Sequence, residues 1–203
     1  FLAQDYYHLS HISYLLNFTN LSKYEFIGVW GLDLNSQWRS EKKIVELFIF
    51  YKKKILTFFI KRKWIKLYNS IGINSFEDLS LIPKNEKNNF KIRAIKLLNK
   101  INRNKIVDTK LGNVQIGDLL IDTYIRYRNV PYVDFKDPYL KEIMFNFFVF
   151  RYNSQKLIKK NKIEKYITYF ANLSHGITCR TFLNSNIDVY STGDPISYLK
   201  KLS

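Results

Sequence analysis

The chain has 203 residues, 46% of them hydrophobic and 17% aromatic, and a formal net charge of +16. This length and apolar content suit one α/β domain with a core, and they exclude wholesale disorder. The single cysteine, Cys179, excludes an internal disulfide framework and fits a reducing compartment. The best candidate for a membrane span is broken by Lys52, Lys53 and Lys54, so none is predicted.

The positive charge has two interpretations. One is an anionic partner, such as nucleic acid, a membrane surface or a phosphorylated substrate. The other is compositional, because the chain is crowded with Lys, Asn, Ile, Phe and Tyr, as expected of an AT-rich genome. Lysine is then the default surface residue. The second interpretation is favoured, since net charge reports on solubility and non-specific binding and not on fold.

The start of the chain predicts a strand, a helix and a second strand. Residues 1–4 suit the tail of a strand, and residues 5–22 carry apolar side chains at helical spacing behind a candidate N-cap, Asp5. The segment YEFIGVWGL is short, aromatic and β-branched, and it predicts a buried strand that ends at Gly31. The three elements together have the size of a βαβ unit.

Residues 40–70 predict a long basic helix, because apolar side chains recur at helical spacing with lysines and arginines between them. Such a helix can lie on an anionic membrane, or it can pack its apolar face on the core and leave its lysines in water. Packing is favoured, because surface helices are amphipathic in general. A turn-rich connector follows at 69–90, and residues 90–101 predict another helix.

A hairpin and a helix are predicted next. Apolar residues alternate around Ile106–Val107 and again after the turn residues Gly112–Asn113, which suits a β-hairpin through that turn. The segment GDLLIDTYIRYRN then predicts a helix, in which Gly117 breaks the preceding strand and Asp118 is the candidate cap.

The last third of the chain predicts a long helix and a second strand–helix–strand unit. Asp137 suits the N-cap and Pro138 the first turn of a helix that continues to about residue 162. Two short strand candidates, IEKYIT and IDVYST, then bracket a helical segment.

This element order predicts the α/β class, with a Rossmann-like open, mainly parallel sheet flanked by helices. We assign residues 1–203 to a single Rossmann-like domain with a helical insertion at about 40–100. Ligands of such sheets bind beyond the carboxyl ends of the strands, which points to the positions after Trp30, Thr168 and Ser191.

Three candidate site residues lie near those positions, and a fourth lies near the start of the chain. Tyr169 comes directly after one strand and Asp194 after another, where a carboxylate can bind a sugar or act as a base. Asp194 can equally cap a following helix. His175 lies at the strand end if the strand reaches Asn172, or one to two turns inside the helix if the strand ends at Thr168, and the second placement is favoured. His11 follows the first predicted strand, on a helix whose N-terminus suits an anion, although a plain surface histidine is the favoured interpretation.

Two further pairs have both a structural and a chemical interpretation. Asp122 and Arg126 are four residues apart, which suits a structural ion pair, and a functional pair would hold a sugar hydroxyl or a phosphate. His175 and Cys179 have the same spacing, but Cys179 is better explained as a small buried side chain. The chain contains no P-loop, GxGxxG, HExxH or GxSxG motif, and no metal site is predicted.

Three segments, IGDLLIDTYIRY, VDFKDPYL and GITCRTFLNSNIDVYS, resemble a family of bacterial capsule and surface-carbohydrate biosynthesis proteins. That family is taken to consist of glycosyltransferases with two Rossmann-like domains, the GT-B-like architecture. The matching residues are Gly117, Asp118, Asp122, Tyr124, Arg126, Asp134, Asp137, Gly176, Ile177, Arg180, Ile187, Val189 and Tyr190. The family's Ser-His segment falls on Thr168 and Tyr169, so His175 departs from the family pattern.

The resemblance implies an acceptor-side N-terminal domain whose enzyme needs a second domain for most of the donor site. The isolated chain is then expected to be inactive. Its substrates would be a nucleotide-sugar donor and a glycan or lipid-linked acceptor, without a further cofactor. Asp122 and Asp194 are the predicted catalytic carboxylates, and the predicted substrate-binding residues are Arg126, Tyr169, His175, Arg180 and His11.

Two expectations concern partners and location. Bacterial surface polymers are built on lipid-linked acceptors at the inner face of the cell membrane, so the protein is expected in the cytoplasm. The basic stretch Lys42–Lys66 would then attach it peripherally to that membrane. The alternative function is a basic nucleic-acid-binding module without catalysis. It is disfavoured because the chain carries no helix-turn-helix, zinc-finger or RNP signature.

Overall fold

The structure is a computed structural model that describes residues 12, 13, 16, 25–30, 61–168, 171, 175–191 and 200–202. The chain forms two compact units, Phe1–Trp30 with Gln37–Glu77 and Gly31–Ser36 with Asp78–Ser203. These are packing units, and the predicted single domain with a helical insertion stays a prediction.

The first unit is built around tryptophan and tyrosine rings. Strand β1 (Ile27–Trp30) pairs with strand β2 (Ser75–Asp78), and residues 61–69 between them are helical. The buried ring of Trp30 stacks on Phe76 with centroids 6.1 Å apart and meets Tyr68 edge-on at 5.9 Å. The predicted strand that includes Trp30 is therefore confirmed, and so is the basic helix at residues 61–69.

Part of the predicted N-terminal βαβ unit lies outside the described residues. Ile12, Ser13 and Leu16 are helical, in agreement with the predicted helix, whereas the predicted strand at residues 1–4 is not described. β2 was assigned to a connector by the sequence, because its four residues, SFED, contain no β-branched side chain.

The second unit begins with helices and a hairpin. Helix α1 (Lys87–Lys100) buries Phe90 and Ala94, which are four residues apart on one face. A 3-10 helix (Arg103–Asp108) leads into strands β3 (Lys110–Leu111) and β4 (Val114–Gln115), which pair antiparallel and confirm the predicted hairpin. The alternation around Ile106–Val107 was misleading, because the Asn102 side chain accepts the Asn104 N–H at 3.0 Å and starts a helical turn.

Two confirmed helices follow. Helix α2 (Gly117–Arg128) ends at Asn129 in the left-handed conformation, with φ of 54°, as asparagine tolerates. Helix α3 (Tyr139–Lys160) buries an apolar face along its length and packs against both α1 and α2. The prediction that Asp118 caps α2 is wrong. The helix begins at Gly117, the cap position is Ile116, and no side chain forms a capping hydrogen bond there.

The last part contains the predicted strand–helix–strand unit. Strands β5 (Lys165–Thr168) and β6 (Asp188–Ser191) pair in parallel, with Thr168 opposite Ser191. Helix α4 (Gly176–Leu183) connects them and packs on both strands and on α3. Strand β7 (Lys200–Leu202) joins the other edge of β6 antiparallel.

The predicted α/β class is confirmed, but the sheet is smaller and more mixed than expected. The described strands form three small sheets, and β5–β6 is the one parallel pair among the pairings whose direction is known. The long helix α3 makes up much of the core of the second unit, with Phe147 and Phe150 fully buried. A continuous, mainly parallel sheet is therefore not what holds the described residues of this unit together.

Candidate functional site

An open concavity of about 540 Å³ lies where the end of α2 meets the start of α3. Its lining comes from the last turns of α2, from the connecting loop and from the first residue before α3. We call it the α2–α3 concavity, and the lining residues are Tyr124, Arg128, Val130, Tyr132, Asp134, Lys136, Asp137 and Pro138.

Asp137 organises this concavity through three hydrogen bonds. Its carboxylate accepts from Arg128 Nη2 at 2.6 Å and from the Tyr124 hydroxyl at 3.0 Å. It also accepts the backbone N–H of Tyr139 at 2.8 Å, so it caps α3 as the sequence predicted, one residue before the assigned cap position. The loop is thereby tied to both helices.

Burial and hydrogen bonding act in opposite directions on Asp137. Burial alone would raise the pKa of its carboxyl group, but the hydrogen bonds from Arg128, the Tyr139 N–H and Tyr124 outweigh it and lower the pKa. The hydrogen bond to Asp137 raises the pKa of Arg128, and burial together with Asp137 raises the pKa of the Tyr124 hydroxyl. At neutral pH the cluster is therefore a carboxylate, a guanidinium and a neutral phenol.

Aromatic rings form one wall of this site. The Arg128 guanidinium lies 5.0 Å from the ring centroid of Tyr139, and that ring meets Tyr124 with centroids 6.3 Å apart. The Tyr132 side chain is 67% exposed, which leaves its ring open to a ligand. Asp134 is also exposed, and its carboxylate accepts the backbone N–H of Lys136 at 2.9 Å. An exposed ring beside carboxylates and cations suits a polyhydroxylated ligand.

A second polar contact joins α2 to α4. Both guanidinium NH2 groups of Arg180 donate to the Asp118 carboxylate, one of them at 2.6 Å, and the Arg180 side chain also donates to the Gln115 carbonyl at 2.8 Å. Bidentate pairing of this kind fixes orientation as well as charge. It brings together residues of two segments that carry the family resemblance.

The hydrogen bond from Arg180 lowers the pKa of Asp118, so this pair should make unfolding depend on pH. The stabilisation is present above the unfolded-state pKa of about 3.9 and is lost as the pH falls below it. We expect Asp118→Asn to make the free energy of unfolding less sensitive to acid. At pH 7 this variant should lower the free energy of unfolding by only about 1 kcal/mol, because both side chains of the pair are partly solvated. Denaturant unfolding across pH 3 to 7 measures it.

Arg180→Gln in the same assay provides the control for that prediction. If the pair acts as a unit, the double variant should lose no more stability than the larger single loss. Strictly additive losses would show that Asp118 and Arg180 contribute independently.

None of the predicted site residues that are described lines the α2–α3 concavity. Asp122 and Arg126 are both exposed on α2, and the predicted ion pair between them is not formed. Arg180 is held by Asp118. His11, Tyr169 and Asp194 lie outside the described residues, so their predicted roles stay predictions.

His175 occupies neither of the two placements that the sequence offered. It directly precedes α4, and its ring meets Phe150 edge-on with centroids 6.4 Å apart. Burial lowers its pKa to about 4, so the imidazole is neutral at pH 7. Cys179 is buried as predicted, and burial raises the pKa of its thiol to about 11, which disfavours a nucleophilic thiolate.

Sequence reasoning missed Arg128, Tyr132 and Lys136 as site residues. It matched Tyr124, Asp134 and Asp137 to the family segments without assigning them a role. The available signal was local, because tyrosine, arginine and two aspartates cluster around the predicted start of a helix at Asp137–Pro138.

The comparisons with known proteins add no relative. No protein-family model, no curated protein and no solved structure matches the chain. Within the described ranges, no three His, Cys, Asp or Glu side chains are grouped as metal ligands, and no helix has the length and apolar character to cross a bilayer.

Proposed function

We propose that this chain is the acceptor-side domain of a nucleotide-sugar-dependent glycosyltransferase that builds a bacterial surface polysaccharide. The observation that supports it best is the α2–α3 concavity. Five of its eight lining residues belong to two of the three segments that resemble the capsule biosynthesis family, and the other three lie in the chain between those segments. The Asp118–Arg180 pair ties the third segment to the first, which supports a common role for the three.

The Rossmann-like part of the proposal is supported by the parallel β5–α4–β6 unit. In a GT-B-like enzyme the acceptor would bind this domain, and most of the donor contacts would come from a second domain. The donor is a substrate of the proposed enzyme, and no other cofactor is needed for the reaction.

The reaction would join an acceptor hydroxyl oxygen to the anomeric carbon of the donor sugar while the bond from that carbon to the phosphate oxygen breaks. A carboxylate takes the hydroxyl proton, and the nucleoside phosphate leaves. Within the concavity, Asp134 is the better candidate for this base, because Asp137 already accepts three hydrogen bonds that hold its pKa low. The roles of Asp122 and Asp194 stay predictions.

Attachment to the membrane remains part of the proposal for the stretch Lys42–Lys66, of which residues 61–66 are described. In this part Trp64 is buried while Arg62, Lys63 and Lys66 are exposed. That pattern supports a helix packed by its apolar side, with basic residues on the outer side for an anionic surface.

Acceptor binding can be tested on the chain by calorimetry with a panel of bacterial surface oligosaccharides. We expect Tyr132→Ala to weaken binding about tenfold, because the exposed ring would lose its stacking contact with the sugar. Tyr132→Phe keeps the ring and should stay within about twofold of the parent protein. Leu81→Ala removes another strongly exposed apolar side chain, 65% exposed, and should have no effect.

Two results would contradict this proposal. One is the absence of binding to every oligosaccharide in the panel. The other is an equal loss for Tyr132→Ala and Leu81→Ala, which would place binding away from the concavity. Retention of DNA or RNA at about 0.15 M salt, without saccharide binding, would favour the nucleic-acid alternative.

A further inference from the structure

Two arginines on neighbouring helices form a separate feature of the second unit. Arg93 lies on α1, and its guanidinium carbon is 4.9 Å from the ring centroid of Phe148 on α3. Arg151 follows Phe148 by three residues, which places both on one face of α3. The contact with Phe148 therefore places the Arg93 guanidinium against the face of α3 that also carries Arg151.

The charges of Arg93 and Arg151 are not neutralised by the neighbouring side chains that the structure describes. No described carboxylate forms an ion pair with either guanidinium. Arg151 donates to the Asn113 side-chain oxygen at 3.5 Å, which is a long contact, and its buried Nε has no hydrogen-bond partner. Burial lowers the pKa of Arg151, and the like charge of Arg93 lowers it further.

The turn of the β3–β4 hairpin also packs against the Arg151 guanidinium. Gly112 has a φ of +64°, and a Cβ added there would lie 2.6 Å from Arg151 Nη2. Glycine therefore allows the turn to approach the guanidinium, and the turn and Phe148 together restrict both arginine side chains. Restricted, unpaired guanidinium groups lose little conformational entropy when they bind an oxyanion.

We propose that Arg93 and Arg151 form a binding site for a phosphate group. Guanidinium groups bind phosphate oxygens through paired hydrogen bonds, and a dianion would also remove the repulsion between the two arginines. The phosphate can belong to a small molecule or to a lipid headgroup. The inference does not rest on the glycosyltransferase proposal, because Arg151 lies about 20 Å along α3 from Asp137, and neither arginine lines the concavity.

The small-molecule source is tested by titration of the chain with inorganic phosphate and pyrophosphate at constant ionic strength, followed by calorimetry or phosphorus NMR. We expect Arg93→Gln to weaken binding about tenfold or more, because one charged donor pair is lost. Arg151→Gln should do the same, with circular dichroism to verify folding. Arg93 is exposed, so its variant keeps the test decisive if the Arg151 variant fails to fold.

Arg103→Gln is the matched control for both variants. Arg103 is also an exposed arginine on an aromatic ring, 5.1 Å from the centroid of Phe135, and its loss changes the net charge equally. It should leave binding unchanged. An equal loss for Arg103→Gln would show a general effect of surface charge and would overturn the proposal.

The lipid source is tested by sedimentation with phosphatidylcholine vesicles, with and without phosphatidic acid. Binding that needs phosphatidic acid and is lost in Arg93→Gln would assign the site to a headgroup. The exposed Ile92 and Ile95 on α1, 53% and 41% exposed, would then contact the bilayer, and changing both to Ser should weaken only vesicle binding. If neither free phosphate nor vesicles bind through Arg93, the proposal is wrong.

Discussion

Replacement of Asp137 by alanine should lower the free energy of unfolding by about 3 kcal/mol. The carboxylate accepts hydrogen bonds from Arg128, Tyr124 and the N–H of Tyr139, and its side chain is only 13% exposed. Its loss would leave the Arg128 guanidinium partly buried without its counter-ion and would remove the cap of α3. Urea unfolding followed by circular dichroism measures this change.

Two variants bracket the Asp137 result. Asp137→Asn keeps the acceptor oxygen for the Tyr139 N–H but loses the charge, so it should fall between alanine and the parent protein. Asp122→Ala removes an exposed carboxylate from α2 and should change stability by less than about 0.5 kcal/mol. If Asp137→Ala costs no more than Asp122→Ala, the hydrogen bonds at Asp137 do not stabilise the fold.

Replacement of Gly117 by alanine should also be severely destabilising, by about 3 kcal/mol. Helix propensity alone predicts the opposite sign, a gain of up to about 1 kcal/mol, because alanine is the better helix former. The added Cβ would collide with the backbone carbonyl oxygens of Ile106 and Val107, the second at 2.5 Å. Backbone atoms of the 3-10 helix cannot move away as a flexible side chain can, so α2 or the 3-10 helix must shift.

Gly72→Ala provides the comparison for the Gly117 variant. The Cβ added at Gly72 meets no atom within 4 Å, but its φ of +92° disfavours an L side chain. The expected loss there is about 1 kcal/mol and is purely conformational. Thermal unfolding of both variants measures these losses. A Gly117→Ala variant as stable as the parent protein would contradict the predicted collision.

Much of the second unit could be predicted because its signals are local. Asp137 and Pro138 fix the start of α3, and the Gly112–Asn113 turn fixes the hairpin. The apolar segments around α4 are short and clearly bounded, so the strand–helix–strand order and the parallel pairing of β5 with β6 were predicted, although α4 begins only at Gly176. In each case a few neighbouring residues contain the information.

The rest depends on contacts between residues far apart in the chain. The sequence offered Asp118 as a cap for its own helix, whereas its partner is Arg180, 62 residues later. The same reason explains the missed pairing of β1 with β2, since no local pattern in SFED indicates a strand. Asp122 and Arg126 show the converse, because correct spacing on an exposed face does not by itself produce an ion pair.

The candidate site was predicted only in part for a related reason. The family segments directed attention to α2, but they did not show which side of the helix faces the loop that follows. Tyr124 and Arg128, four residues apart, face Asp137, and Asp122 and Arg126 are exposed to solvent. The choice between these two sides is made by tertiary packing against α3.

Chemical-shift mapping with a bound oligosaccharide tests the central proposal most directly. The account predicts that amide signals of the non-proline residues in 124–138 shift together and saturably on addition of an acceptor saccharide, and that Tyr132→Ala requires about ten times more saccharide for the same shifts. Signals of α1 around Arg93 should not move. Shifts that are absent from residues 124–138, or that occur only on other elements, would contradict an acceptor site in the α2–α3 concavity.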